Sequence, residues 1–324
     1  MNNWESKENS TGEVAEKKNV KDTLVSVVGS IEKTTKNTVK KASGAIGKTK
    51  EAVFDAIDQN GDGEVGIEDI IILGLKVPGI RIKREDFLRK ELFKRYPEEV
   101  IDDAVNNNPL HAKIPQTDIE DMVDEVIKYE RLCVSGISAA LGTPGGAAMV
   151  ATIPADIAQY YGYMLRATQK LLYLYGFPEI DFEEKGQTFD TETMNTLIIC
   201  LGVMYGVAGA NNALKAMAKA LGTGVEKQLV KKALTKGTIY PIVKSVSKWF
   251  GVKMTKEVFA GFFKKAIPVV GGVIGGGITY ASFKPCCDKL RKVLQDTILS
   301  NPDYQIKEEI IDIVSDETVI NTEE

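Results

Sequence analysis

Three stretches of this chain carry no charged residue: twenty-four residues lie between Arg131 and Asp156, twenty-two between Glu192 and Lys215, and eighteen between Lys265 and Lys284. Runs of this length and composition are built to be buried, in protein or in lipid. Each holds glycines one helical turn apart: Gly142 and Gly146, Gly202 and Gly206, and the overlapping pairs Gly271–Gly275 and Gly272–Gly276. Such spacing strips side chains from one face of a helix and lets a second backbone come close. Pro144, Pro154, Asn195, Asn211 and Asn212 make the runs poor membrane spans, because weak apolar content does not offset polar groups in hydrocarbon. Buried helical hairpins are the better reading. Period-two alternation is nowhere sustained, so the fold class is all-α.

A second constraint is the ordered acidic stretch Asp58-Gln59-Asn60-Gly61-Asp62-Gly63-Glu64-Val65-Gly66-Ile67-Glu68-Asp69. It resembles an EF-hand calcium loop. Ca2+ takes oxygen ligands from alternate loop positions when a glycine allows a sharp central turn. Asp58, Asn60 and Asp62 fall at positions 1, 3 and 5, and Gly63 at position 6. Glu64 offers its backbone carbonyl from position 7, Val65 is the apolar anchor, and Gly66 leaves position 9 to water. Asp69 departs from the usual glutamate at position 12. One methylene shorter, it reaches an ion with one oxygen or through a shifted backbone, which predicts weaker binding and poorer rejection of Mg2+. Glu51, Val53, Phe54 and Ile57 before the loop, and Ile70, Ile71 and Leu73 after it, resemble the flanking helices. No second loop is present to brace this one, so a structural or Mg2+-occupied site, or a homodimer through the loop, is the expectation.

Upstream, residues 1–21 are polar and bury nothing. From 22 to 57, Val28, Ile31, Thr35, Val39, Ala42, Ile46, Val53 and Ile57 recur at helical spacing, flanked by Lys33, Lys36, Lys40, Lys41, Lys48 and Lys50. A basic helix with so thin an apolar face either lies on an anionic membrane surface or docks on its own domain. Inside it, Ala42 to Thr49 fits a relaxed phosphate-loop pattern, but no buried strand precedes it, and the reading is rejected. Absent aromatics on the basic stretch argue against nucleic acid. Nothing here has the pattern of a secretory signal, which points to the cytoplasm, and the basic stretch adds the expectation of a place at the inner face of the cell membrane or on a membrane protein.

The remaining chemistry is sparse. Cys133, Cys200, Cys286 and Cys287 have no C-x-x-C spacing and read as reduced, packed thiols. His111 is the sole histidine, which excludes sites that need two and leaves any triad dependent on one residue in an Asn/Pro loop. Asp156 and Arg166 are the only charges between Arg131 and Lys170. Each needs a partner, and a pocket formed by them with Tyr160, Tyr161 and Tyr163 is the anchor of an enzymatic or small-molecule reading. Helical segments are predicted near 84–107, 117–131 with a Thr117/Glu120 capping box, 212–235, 240–265, and 286–299 after Pro285.

Thr152-Ile153-Pro154-Ala155-Asp156-Ile157-Ala158, Leu174-Tyr175-Gly176-Phe177, Gly209-Ala210-Asn211-Asn212, Ile267-Pro268-Val269-Val270-Gly271-Gly272 and Thr279-Tyr280 together resemble the EcsC family of bacterial proteins. The likeness covers about residues 125–298. The family takes its name from a member encoded beside two components of an ABC transporter, and no site residue carries over from it. The expected organisation is a disordered N-terminus (1–21), a basic amphipathic helix (22–57), the EF-hand-like loop with its exit helix (58–76), a helical connector (77–131), an EcsC-like helical domain (132–299) and an acidic tail (300–324). The expected function is that of a calcium-binding, non-enzymatic, membrane-associated protein. The alternatives are a small-molecule-binding or hydrolytic domain around Asp156, or a pore former.

Overall fold

The computed structural model describes residues 55–141, 148–182, 184–185, 188–225, 227–253 and 271–305. Helix accounts for 70% of this part, and the chain is all-α. Extended structure among the described residues is a two-residue antiparallel ladder, Glu184–Lys185 with Thr188–Phe189. The 1–21 segment, the 22–57 helix up to residue 54, the Gly142/Gly146 pair, the Ile267–Val270 stretch, Phe259, Phe262 and Phe263, and the tail beyond residue 305 lie outside the described residues.

The helices in order are α1 (Ile67–Leu75), α2 (Arg84–Leu92), α3 (Glu98–Asn106), α4 (Gln116–Leu141), α5 (Ala148–Leu174), α6 (Thr191–Tyr205), α7 (Ala210–Gly222), α8 (Lys227–Thr235), α9 (Tyr240–Lys253) and α10 (Gly271–Leu294). α1 ends where the sequence predicts, ahead of Pro78. The segment 84–107 is two helices, because Pro97 lacks an N–H and disfavours helix in the residue before it; it stands at the N-cap of α3. Arg84 closes the other end of α3. Its buried guanidinium donates to the carbonyls of Ala104 (3.1 Å), Val105 (2.5 Å) and Asn107 (3.0 Å), and to that of Phe177 (3.1 Å). These include carbonyls of a last helical turn, which have no partner within the helix.

α4 starts behind Pro115, whose carbonyl accepts from the N–H groups of Asp118 and Ile119. Thr117 therefore sits inside the first turn and no capping box forms. Nor does α4 stop at 131. It runs unbroken across the 131/132 shift in composition, so that boundary separates two stretches of one helix. The 212–235 segment splits at Thr223–Val225 into α7 and α8, and α10 passes through Pro285 instead of starting after it. Losing one hydrogen bond is tolerated there because α10 is clamped on both sides of the proline: Phe283, Cys287, Leu290 and Leu294 are all fully buried.

α4, α5 and α10 pack side by side, with α6 on α10 and α7–α9 around α6. Gly276 brings α10 onto the α4 backbone; a Cβ there would meet the Ser135 carbonyl oxygen at 3.0 Å. Gly202 gives α9 the same access to α6, since a Cβ would meet Val246 at 2.8 Å. Its partner in the sequence pattern does something else: Gly206 has φ +74 and ends α6 in the left-handed region. Ile57, Val65, Ile67, Ile70, Ile71 and Leu75 belong to the same hydrophobic core as the helical bundle. Loop and bundle are one packed body, and each fully buried isoleucine of α1 contributes about 2 kcal/mol. Among the described residues no helix is long and apolar enough to cross a membrane.

Candidate functional site

The Asp58–Asp69 loop is built from reciprocal side-chain-to-backbone bonds. Asp58 accepts from the N–H of Gly61 (2.6 Å) on Oδ1 and of Gly63 (2.9 Å) on Oδ2. The Asn60 side-chain oxygen accepts from the N–H of Asp62 (2.9 Å), and Asp62 accepts from that of Glu64 (2.8 Å). Gly63 has φ +81, the left-handed turn for which its position demands glycine. Asn60, Asp62 and Glu64 are exposed and Asp58 is half-buried, while Val65 is buried as the apolar anchor.

Asp69 is placed differently from the other four. It is 1% exposed, and both its oxygens are taken by the backbone of its own loop. Oδ1 accepts from Gln59 (2.8 Å) and Asn60 (3.1 Å), and Oδ2 from Gly66 (2.8 Å). The short twelfth side chain thus ties the start of the loop to the start of α1. An ion would have to share its oxygens with three N–H donors. Among the described residues no three His, Cys, Asp or Glu side chains form a metal-holding group. The donors the loop presents are all oxygens, from Asp58, Asn60, Asp62 and the Glu64 backbone. That set fits a hard cation such as Ca2+ or Mg2+, and water would fill the remaining positions.

The loop is also tied to its surroundings. Lys76 at the end of α1 donates to the Gln59 side chain (2.7 Å). Ser247 of α9 donates to Glu68, loop position 11 (3.0 Å).

Asp156 and Arg166 do not pair. Arg166 Nε lies 3.4 Å from Glu130 Oε1, which also accepts from Lys170 Nζ at 2.6 Å. Glu130 is 0% exposed, and its other oxygen has no hydrogen-bond partner among the described residues. Asp156 Oδ1 is buried without a partner among the described residues, and burial pushes its carboxyl up to about 7. Of the tyrosines expected around it, Tyr161 stacks on Tyr205 at 6.3 Å, Tyr160 meets Phe283 edge-on at 6.4 Å, and Tyr163 lies under the Arg166 guanidinium at 5.8 Å. Burial raises the Tyr161 phenol and the Cys200 thiol each to about 12, so neither ionises near neutrality. His111 is exposed and pairs with Asp103 at 2.7 Å. All four cysteines are free thiols.

Glu130, Lys170 and Arg84 were not singled out by sequence reasoning. The first was legible. Ile119, Val123, Ile127, Glu130, Val134 and Ile137 share the apolar stripe of α4, so a charge at 130 faces inward. Asp121, Asp124 and Glu125 lie on an exposed face of α4, where Arg291 holds Glu120 (2.5 Å) and Asp124 (2.6 Å), and Arg95 holds Glu125 (2.8 Å).

Set against known proteins, the chain matches no family model, no curated protein and no solved structure.

Proposed function

We propose that the protein is a non-enzymatic, cation-binding helical protein in which Asp58, Asn60, Asp62 and the Glu64 carbonyl take Ca2+ or Mg2+, with Asp69 as the clasp that shapes the loop. The observation that carries this reading is the bonding order within the loop. Each side chain at positions 1, 3 and 5 (Asp58, Asn60 and Asp62) accepts from a backbone N–H two to five residues on, which reduces the ordering that an ion would otherwise have to impose. With Asp69 occupied by N–H donors, affinity is weak and Mg2+ competes. The exit side is fixed by α1 and the entry side by Ile57, both in the core, so an ion stiffens the joint between the bundle and the basic segment 22–57. That basic segment is the part suited to an anionic membrane surface.

Titration calorimetry of the full chain tests the cation. Saturable heat with CaCl2 that Asp58→Ala and Asp62→Ala each abolish is the expected result; no heat with CaCl2 or MgCl2 overturns it. Flotation with vesicles containing phosphatidylserine tests the membrane half, and absence of the protein from the floated fraction with and without Ca2+ overturns that half alone.

A further inference from the structure

A cavity of about 250 Å3 opens where the C-terminal end of α5 and the segment after it meet α6, α7 and α8. Its floor is apolar, with Leu172, Ile180, Met217, Val230 and Leu234 in the lining. At about 30 Å3 per water in the liquid, the space holds roughly eight non-hydrogen atoms, and a dry apolar cavity of about 150 Å3 already accepts benzene.

The mouth is charged, and its balance decides what enters. Glu179, Asp181, Asp190 and Glu192 stand against Lys227 and Lys231. The α6 N-terminus also faces this region, and with two lysines it would suit an anion. That place is already filled: Asp190 caps α6, accepting from the Glu192 N–H at 3.1 Å. Lys231 is engaged as well, 3.2 Å from Asp190 and 3.9 Å from Glu192. The lining as a whole holds four carboxylates, of Glu179, Asp181, Asp190 and Glu192, against the two lysines Lys227 and Lys231. Glu179 is exposed and has no ion pair among the described residues. Burial is the largest influence on Glu192 and raises its pKa, with Lys231 and Lys227 opposing it.

We propose that this cavity is a binding site for a small organic cation, a primary or secondary amine on a short aliphatic or single-ring body. The body fills the apolar floor and the ammonium lies at the acid-rich mouth. The site is separate from the cation loop and involves none of its residues.

The test uses the full-length protein and three probes of one size, n-hexylamine, n-hexanol and n-hexanoate, compared by ligand-observed NMR and calorimetry at pH 7. Hexylammonium is expected to bind tightest, and hexanoate weakest by about tenfold or more, the size of one charge-assisted contact. Glu179→Gln should weaken hexylammonium several-fold and leave hexanol unchanged. Thr196→Trp, at a half-buried position in the lining, should block all three while the protein keeps its helical circular dichroism. Val230→Phe, which fills the floor, is the second blocking variant. Hexanoate binding as tightly as hexylammonium overturns the cation assignment. No binding by any probe, or binding untouched by a folded blocking variant, overturns the site.

Discussion

Gly74 of α1 and Gly162 of α5 meet backbone to backbone: a Cβ on Gly74 would lie 3.0 Å from the Gly162 nitrogen, and one on Gly162 would lie 3.0 Å from the Gly74 carbonyl oxygen. This crossing anchors the loop's exit helix to the bundle. Alanine at either position gains about 1 kcal/mol in helix propensity but forces two helix backbones apart, at about 1–3 kcal/mol. Gly74→Ala and Gly162→Ala should each lower stability by about 1 kcal/mol in urea denaturation. Gly277→Ala in α10, where a Cβ meets nothing within 4 Å, should raise it by up to about 1 kcal/mol. Equal effects at all three sites would remove the crossing from the account.

Asp69 should matter more to folding than to the ion. Asp69→Ala leaves three N–H groups, those of Gln59, Asn60 and Gly66, without their acceptor, and about 2–4 kcal/mol should be lost in chelator-containing buffer. Asp62→Ala, at an exposed position, should cost under about 1 kcal/mol under the same conditions. Adding Ca2+ should then separate wild type from Asp62→Ala, because only the former gains stability from binding. A wild-type midpoint that CaCl2 does not move would count against the loop as a cation site.

Much of this was readable in the residues, and the misses have a common cause. The charge-free run 193–214 identified α6 as buried, whereas in the run that opens α10 Gly277, Tyr280 and Ala281 are exposed; the loop's spacing placed Gly63 at its turn and Val65 in the core. The prolines were misread in opposite directions. Pro97 breaks a segment read as continuous, and Pro285 lies inside a helix where a break was expected. A local rule gives the cost of a missing N–H, but tertiary packing decides whether that cost is met. Pairing was hidden for the same reason. Arg166 and Asp156 are ten residues apart in a run otherwise free of charge, yet Arg166 finds Glu130 on a different helix.

Glu130 should be among the most sensitive positions in the protein. It is the carboxylate between Lys170 and Arg166, and both cations line the α4–α5 interface with side chains at most 16% exposed. Glu130→Ala leaves two buried cations uncompensated and should cost about 3–5 kcal/mol. Replacing the pair in Glu130→Leu/Lys170→Met should recover a large part of that loss, since a buried ion pair often does no better than apolar side chains of similar volume. A double variant as unstable as Glu130→Ala alone would mean that Arg166 is the partner that dominates.

Asp156 predicts a pH dependence with a definite sign. Burial raises its carboxyl from 3.8 to about 7 in the folded protein, so between these values the native state holds a proton that the unfolded chain has released. Stability from this group is therefore greatest in acid, falls as pH rises from about 4 to 7, and is flat beyond. A shift of this size corresponds to a penalty on the order of 4 kcal/mol above pH 7. Asp156→Asn removes the ionisation while keeping the shape. Its advantage over wild type in urea denaturation should be near zero at pH 4 and grow to about 2–4 kcal/mol at pH 8, while every other titrating group cancels in the difference. A constant difference across that range would show that Asp156 keeps its charge in the folded state, held by a partner that its buried Oδ1 lacks among the described residues.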